Sequence, residues 1–125
     1  MIGVLNSNCD TYSYWNMVLD EKQKSGWGWA QNSLVTINRG TGEVRYNPDF
    51  QPVCLVSRFV WPGAARISAA SHNGGPVSAF RGSDGAMVIL AQNRTAEAVV
   101  LEIQVDGRKA KVALPANADS VVLAP

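Results

Sequence analysis

The sharpest periodic signal in the chain lies near its end. Val99, Leu101, Ile103 and Val105 alternate with Glu102, Gln104 and Asp106, the two-residue period of a strand with one apolar face. Asp106-Gly107 follows, a pair that tolerates the positive φ angles of a two-residue hairpin turn. On the return, Ala110, Val112 and Leu114 point inward and Lys109 and Lys111 outward. The pattern predicts a hairpin with one buried face. The two lysines form a solvated strand face and discourage edge-to-edge pairing.

Shorter strands are expected at Arg66 to Ser71, Pro76 to Arg81, Met87 to Asn93 and Ser120 to Leu123. Turns at Asn73-Gly74-Gly75 and Ser83-Asp84-Gly85 separate the first three. Met87 to Leu90 is apolar without interruption, which suits a central strand covered on both faces. Upstream, Ser33 to Asn38 and Glu43 to Tyr46 flank Arg39-Gly40-Thr41-Gly42, a loop of hairpin length. Asn47-Pro48 reads as an N-cap followed by a first-turn proline, with a helix running to about Phe59 and ending before Pro62-Gly63. Pro52 removes a backbone donor, so the helix is expected to start near Pro52 or to kink there.

The first 31 residues have a different texture, irregular and crowded with Tyr12, Tyr14, Trp15, Trp27 and Trp29. From residue 64 onward the rhythm of short strands and turns is that of an all-β sandwich.

Composition narrows the function classes. The chain has 125 residues, about one domain, with 46% hydrophobic residues, enough to fill a core. Eleven Lys and Arg against ten Asp and Glu leave a charge of +1 with no like-charge run, so a nucleic-acid partner is not expected. The longest apolar run, Ala86 to Ala91, is too short to span a bilayer, and Met1 to Leu5 lacks the flank and run of a signal peptide. Cys9 and Cys54 read as two small buried thiols, with a disulfide the alternative. His72 is the one histidine; with no second imidazole and no cysteine cluster, no metal site is expected. No cofactor is expected either. Asn93-Arg94-Thr95 has the form of a glycosylation acceptor and reads as a surface turn.

The order of motifs carries a resemblance. Tyr14-Trp15-Asn16-Met17-Val18-Leu19-Asp20 precedes Trp27-Gly28-Trp29 and Gln31-Asn32-Ser33-Leu34. Then come Thr41-Gly42-Glu43-Val44, Tyr46-Asn47-Pro48, Ser57-Arg58-Phe59-Val60 and Pro62-Gly63-Ala64 with Arg66-Ile67. The succession resembles the C-terminal part of glycoside hydrolase family 30, the glucosylceramidase-like enzymes. Three departures stand out: Leu55 where the family usually has histidine, Gln51-Pro52 where it has aromatics, and Trp61 where a basic or polar residue is common.

The resemblance implies a mainly β chain: an antiparallel sandwich with one short helix, preceded by the eighth strand of an incomplete (β/α)8 barrel. Residues 1–31 are then a barrel remnant, comprising a helix end over the first nine or so residues, the eighth strand over Thr11 to Val18, and an aromatic loop. Residues 32–125 are then the sandwich, with a connecting helix at about 48–59. The partners implied are a β-linked glycoside in the full-length enzyme, including the glycosphingolipid class, and the missing barrel portion. Family members are often secreted or lysosomal. A retaining enzyme needs two carboxyl groups about 5–5.5 Å apart, and the family's catalytic glutamates fall upstream of Met1, so no catalytic residue is assigned here. Asp20-Glu21, Asp84, Asp106 and Glu102 form no such pair.

Trp15, at the end of the barrel strand, either stacks on a sugar face or packs between barrel and sandwich; in the isolated chain the packing role is expected. Asn16 orients a sugar hydroxyl or caps the strand end. Trp27 and Trp29 line the rim of the sugar site or pack on the sandwich, the packing being the expected use. An independent carbohydrate-binding or structural sandwich is the alternative function, although Phe80 is the only aromatic after Trp61. The resemblance also implies that a strand from the start of the full-length protein completes the sandwich; without it one edge is open, so the isolated chain is expected to form a homo-oligomer.

Overall fold

The structure, a computed structural model, describes residues 1–9, 11–72 and 75–124. They fall into two compact units, one of Met1–Asn8 with Leu55–Pro125 and one of Cys9–Cys54.

The larger unit holds the predicted sandwich. Strands β7 (Val99–Val105) and β8 (Arg108–Leu114) pair antiparallel from Val99↔Leu114 to Val105↔Arg108. The turn residues Asp106 and Gly107 have φ of +47° and +79°, a type I′ geometry whose twist matches the strands it joins. The alternation also holds: Leu101, Ile103 and Val105 are half-buried, while Glu102 and Gln104 are exposed. Ala110 departs from it, being exposed although its neighbours Val112 and Leu114 are sheltered. It sits near the turn on one of only two strands in this sheet, so little covers it.

The other sheet has the order β4 (Ala65–Ile67), β5 (Val77–Arg81), β6 (Met87–Asn93), β9 (Ala118–Ala124), antiparallel throughout. The β5–β6 loop closes with Gly82 N–H donating to Ala86 O at 2.8 Å and Asp84 Oδ1 accepting from Ala86 N at 3.0 Å. In the turn before β5, Asn73 and Gly74 lie outside the described residues. Gly75 is required there on steric grounds: a Cβ at this position would sit 1.9 Å from the Gln92 carbonyl oxygen.

Residues alternate between the two faces of this sheet. Phe80 and Leu90 point toward α1 (Ile2–Asn6) and the C-terminal half of α2 (Phe50–Phe59), forming a core with Ile2, Val56 and Val60. Ala79, Met87 and Ile89 point the other way, across an open cleft of about 400 Å³ toward Leu101 and Ile103. Covering on both faces accounts for the unbroken apolar run of β6.

The smaller unit contains β1 (Val18–Asp20), parallel to β2 (Val35–Ile37), which is antiparallel to β3 (Val44–Tyr46). The β2–β3 hairpin is the one expected, with Asn38 Oδ1 accepting from Gly40 N and Thr41 N at 2.9 and 3.1 Å. The strand expected over Thr11–Val18 is shorter. Its backbone pairing begins at Asn16, whose N–H donates to Asn32 O at 3.1 Å and whose O accepts from Leu34 N at 3.0 Å. Before it, residues 11–15 find no ladder partner among the described residues.

The compact units are not divided at residue 31: β1 shares a sheet with β2 and β3, and Ile2 joins the core of Phe80 and Leu90. Two further expectations are corrected. Asn47 does not cap α2. Its side chain turns back to Ser33 and Thr36, and the helix begins at Phe50, with Pro52 as its third residue. First-turn amides have no intrahelical acceptor, so the proline is tolerated there, and the late start expected near Pro52 is the one observed. Finally, Cys9 is exposed and Cys54 half-buried, both as free thiols, because neither falls within an apolar core.

Candidate functional site

The smaller unit presents the tryptophans. Trp15 is 76% exposed, and the Trp15–Asn16 peptide is cis. The packing role expected for Trp15 in the isolated chain is therefore not taken up within it. Asn16 is half-buried and donates from Nδ2 to Gln31 Oε1 at 2.8 Å. That bond, with its two ladder bonds, ties the strand to the base of the segment bearing the other tryptophans.

That segment is a short arm. Lys24 bridges Ala30 antiparallel, and Gln31 N–H donates to Gln23 O at 2.9 Å. Its tip is a tight turn in which Gly28 N–H reaches Ser25 O at 2.9 Å and Gly28 adopts φ +83°, a conformation favouring glycine. Ser25 Oγ accepts from Trp29 N at 3.2 Å. So narrow an arm has no interior to hide an indole, and Trp27 and Trp29 are 80% and 68% exposed. Their rings lie 5.7 Å apart at 37°, the offset, tilted arrangement aromatic pairs prefer. The packing expected for these two residues is therefore corrected: both are exposed.

The acids of the chain serve structure. Arg39 reaches Asp20 at 2.9 Å and Glu21 at 3.2 Å, and its backbone N–H donates to Glu21 Oε2 at 3.0 Å. That backbone bond, with the guanidinium behind it, holds the Glu21 carboxyl down to about 2 and raises Arg39. Tyr14 donates its hydroxyl to Asp49 Oδ2 at 2.7 Å. The hydrogen bond, then partial burial, pushes the phenol up to about 12. Elsewhere Glu102 meets Lys109 at 3.1 Å, and Asp106 lies 3.5 Å from Arg81.

The sequence reading missed the buried polar residues. Asn93, taken for a surface turn, is only 2% exposed. Its Nδ2 donates to Glu97 O and Pro115 O, both at 2.8 Å, and its Oδ1 accepts from Thr95 N at 2.9 Å. The Asn-x-Thr triplet is thus a structural clasp. The signal available was its place at the end of a strand, where asparagine side chains commonly replace ladder partners. In the smaller unit Ser33 and Thr36 are likewise buried, roofed by Asn47 and Gln23.

The larger unit is thus a two-sheet sandwich, and the smaller unit bears exposed tryptophans beside a parallel strand pair. Residues 63–122 match the family model described as the glycosyl hydrolase family 30 beta sandwich domain. Among solved structures, the chain is similar to the endo-beta1,6-glucanase BT3312, with TM-score 0.84 and 23% identity over 96% of this chain and 28% of that one. It is also similar to SrfJ from Salmonella typhimurium, with TM-score 0.83 and 21% identity over 98% of this chain and 28% of that one. The chain thus spans a little over a quarter of the length of each, and at this identity the likeness is one of fold.

Proposed function

We propose that this chain is the non-catalytic C-terminal part of a glucosylceramidase-like retaining β-glycosidase, stabilising a barrel and lending it tryptophans for the rim of the sugar site. The supporting observation is Trp15, three-quarters exposed on the segment leading into a parallel-paired strand. Loops and strand ends of this kind carry the active site in (β/α)8 barrels. An exposed indole offers a flat apolar surface to the C–H face of a pyranose, and Trp27 and Trp29 extend that surface from the arm. Asn16 spends its amide on Gln31, so its part is to hold the strand end. The two catalytic carboxylates belong to the barrel and not to this chain.

The test is expression of the coding region together with the sequence directly upstream. The longer product should hydrolyse an aryl β-glucoside, and Trp15→Ala in it should lower kcat/KM by about tenfold or more, roughly 1.4 kcal/mol of transition-state binding. The 125-residue chain alone should leave aryl β-glucosides and β-xylosides intact. Hydrolysis that follows the chain through purification and disappears on changing one of its acids overturns the proposal.

The same reading extends to oligomeric state. Trp15, Met17, Trp27, Trp29 and Tyr46 are each more than three-fifths exposed, and soluble monomers rarely leave large apolar patches uncovered. Without a barrel, the isolated chain covers these groups with a second copy of itself, and two-fold pairing is the commonest closed arrangement.

A further inference from the structure

Beside the tryptophans, the smaller unit carries a hollow of about 320 Å³ lined by Gln23, Asn32, Ser33, Arg45, Asn47 and Asp49, with Pro48 at its edge. It is at the small end of the range for ligand pockets. Its lining is polar, and it contains no aromatic side chain. We infer that this hollow binds a neutral, hydroxyl-rich ligand of monosaccharide size.

The argument starts from the floor. Asn47 Nδ2 donates to Ser33 O at 2.8 Å and to Thr36 Oγ1 at 2.9 Å, and Gln23 Nε2 donates to the same Thr36 Oγ1 at 2.9 Å. Ser33 and Thr36 are buried, so both amides are anchored through their nitrogens. The carbonyl ends, Asn47 Oδ1 and Gln23 Oε1, accept no bond among the described residues and are held as acceptors. Asp49 is similar: Oδ2 takes the Tyr14 hydroxyl at 2.7 Å, leaving Oδ1 open. Opposite in character are the donors. Arg45 stands across from Thr36 in the β2–β3 register, and its guanidinium is exposed and makes no hydrogen bond or ion pair among the described residues. The exposed Asn32 amide is also unengaged.

Fixed acceptors therefore share one hollow with free donors. A hydroxyl both donates and accepts, so adjacent hydroxyls on a ring satisfy such a mixed lining, whereas a simple ion does not. The open Asp49 carboxylate disfavours an anion, and the Arg45 cation disfavours a metal ion. Anchoring of the acceptors by the buried floor reduces the ordering cost of binding.

The inference is independent of the role given to Trp15, and its test needs no barrel. The intact 125-residue chain is titrated with glucose and with xylose, following side-chain amide and Arg45 guanidinium signals by NMR. Saturable shifts at Asn32, Asn47 and Arg45 with a Kd of about 1–10 mM are expected for at least one sugar. Arg45→Ala and Asn32→Ala, both at exposed positions, should each weaken it by about fivefold or more while leaving the circular dichroism unchanged. Trp27→Ala should bind as the unaltered chain does. No saturable shift with either sugar up to about 100 mM overturns the inference. Sugar binding that survives Arg45→Ala, or saturation of the same signals by inorganic phosphate in place of sugar, does so as well.

Discussion

Replacing Asn93 by alanine removes a side chain that is 2% exposed and bonds four backbone groups at the end of β6, the Leu114 carbonyl the most distant at 3.4 Å. The carbonyls of Glu97 and Pro115 each lose a donor at 2.8 Å, and the amide of Thr95 loses an acceptor at 2.9 Å. A buried polar group left unmatched costs about 1–3 kcal/mol. Glu97, Thr95 and Pro115 are exposed residues, so water recovers part of that. The expected loss is about 2–4 kcal/mol in urea denaturation, or a fall in Tm of roughly 8–15 °C for a chain of this size. Asn93→Asp is the sharper variant. It keeps an acceptor for Thr95 but turns a carboxylate oxygen toward two carbonyl oxygens, so at pH 7 it should destabilise at least as much as alanine. Thr95→Ala removes only the hydroxyl, which bonds Asn93 Oδ1 at 2.7 Å and Glu97 O at 2.9 Å, and should cost about 1 kcal/mol. A loss below about 1 kcal/mol for Asn93→Ala, or a milder effect for aspartate than for alanine, would refute the clasp.

Other outcomes follow from the same structure. Leu101→Ala, on the half-buried face of β7, should cost about 2 kcal/mol, near the low end for leucine truncation because it borders an open cleft, whereas Glu102→Ala should stay within about 0.5 kcal/mol; the reverse order in denaturation would mean a register shifted by one. The carboxyl of Glu21 is lowered to about 2, so its contribution to stability is present above the ordinary glutamate range and is lost as pH falls toward 2; Glu21→Gln should flatten stability across that acid window, and carbon-detected NMR should place the Glu21 midpoint near 2. Tyr14 is raised to about 12, so its contribution is present below pH 10 and is lost between 10 and 12; in an ultraviolet titration one tyrosine should ionise late, and Tyr14→Phe should abolish that late step. Light scattering on a size-exclusion column should report a dimer or larger species for the isolated chain, and a clean monomer at micromolar concentration would contradict the pairing proposed.

The sandwich was legible because its information is local. Alternation along Val99–Val105 requires only that one face be apolar, and Asp106-Gly107 specifies its turn by backbone preference alone. β6 was legible for the complementary reason: a strand covered on both faces has no polar side, and Met87–Ala91 has none. The Asn47 cap failed because Asn47-Pro48 fits two local solutions. Whether asparagine caps a helix or roofs a buried Ser33 and Thr36 depends on a hairpin that brings those residues alongside it. Asn93 failed likewise, since two of its partners, the carbonyls of Leu114 and Pro115, lie 21 and 22 residues away.

The tryptophans show a different limit. Hydrophobicity predicts burial on average, and Trp15, Trp27 and Trp29 were weighed as core residues on that basis. Burial needs a partner surface as well as an apolar side chain. The ladder around Asn16 draws its partners from Asn32 and Leu34 on one side, and a bridged arm with a tight turn at Ser25–Gly28 cannot enclose an indole. The chain maintains this exposure with ordered structure: Ser25 Oγ fixes Trp29, glycine at φ +83° sets the turn between Trp27 and Trp29, and Gln31 anchors the arm to Asn16. Apolar groups presented on a hydrogen-bonded framework offer a surface that a partner could cover from outside. The proposed barrel rim in the whole enzyme, and self-pairing in its absence, both supply such a partner.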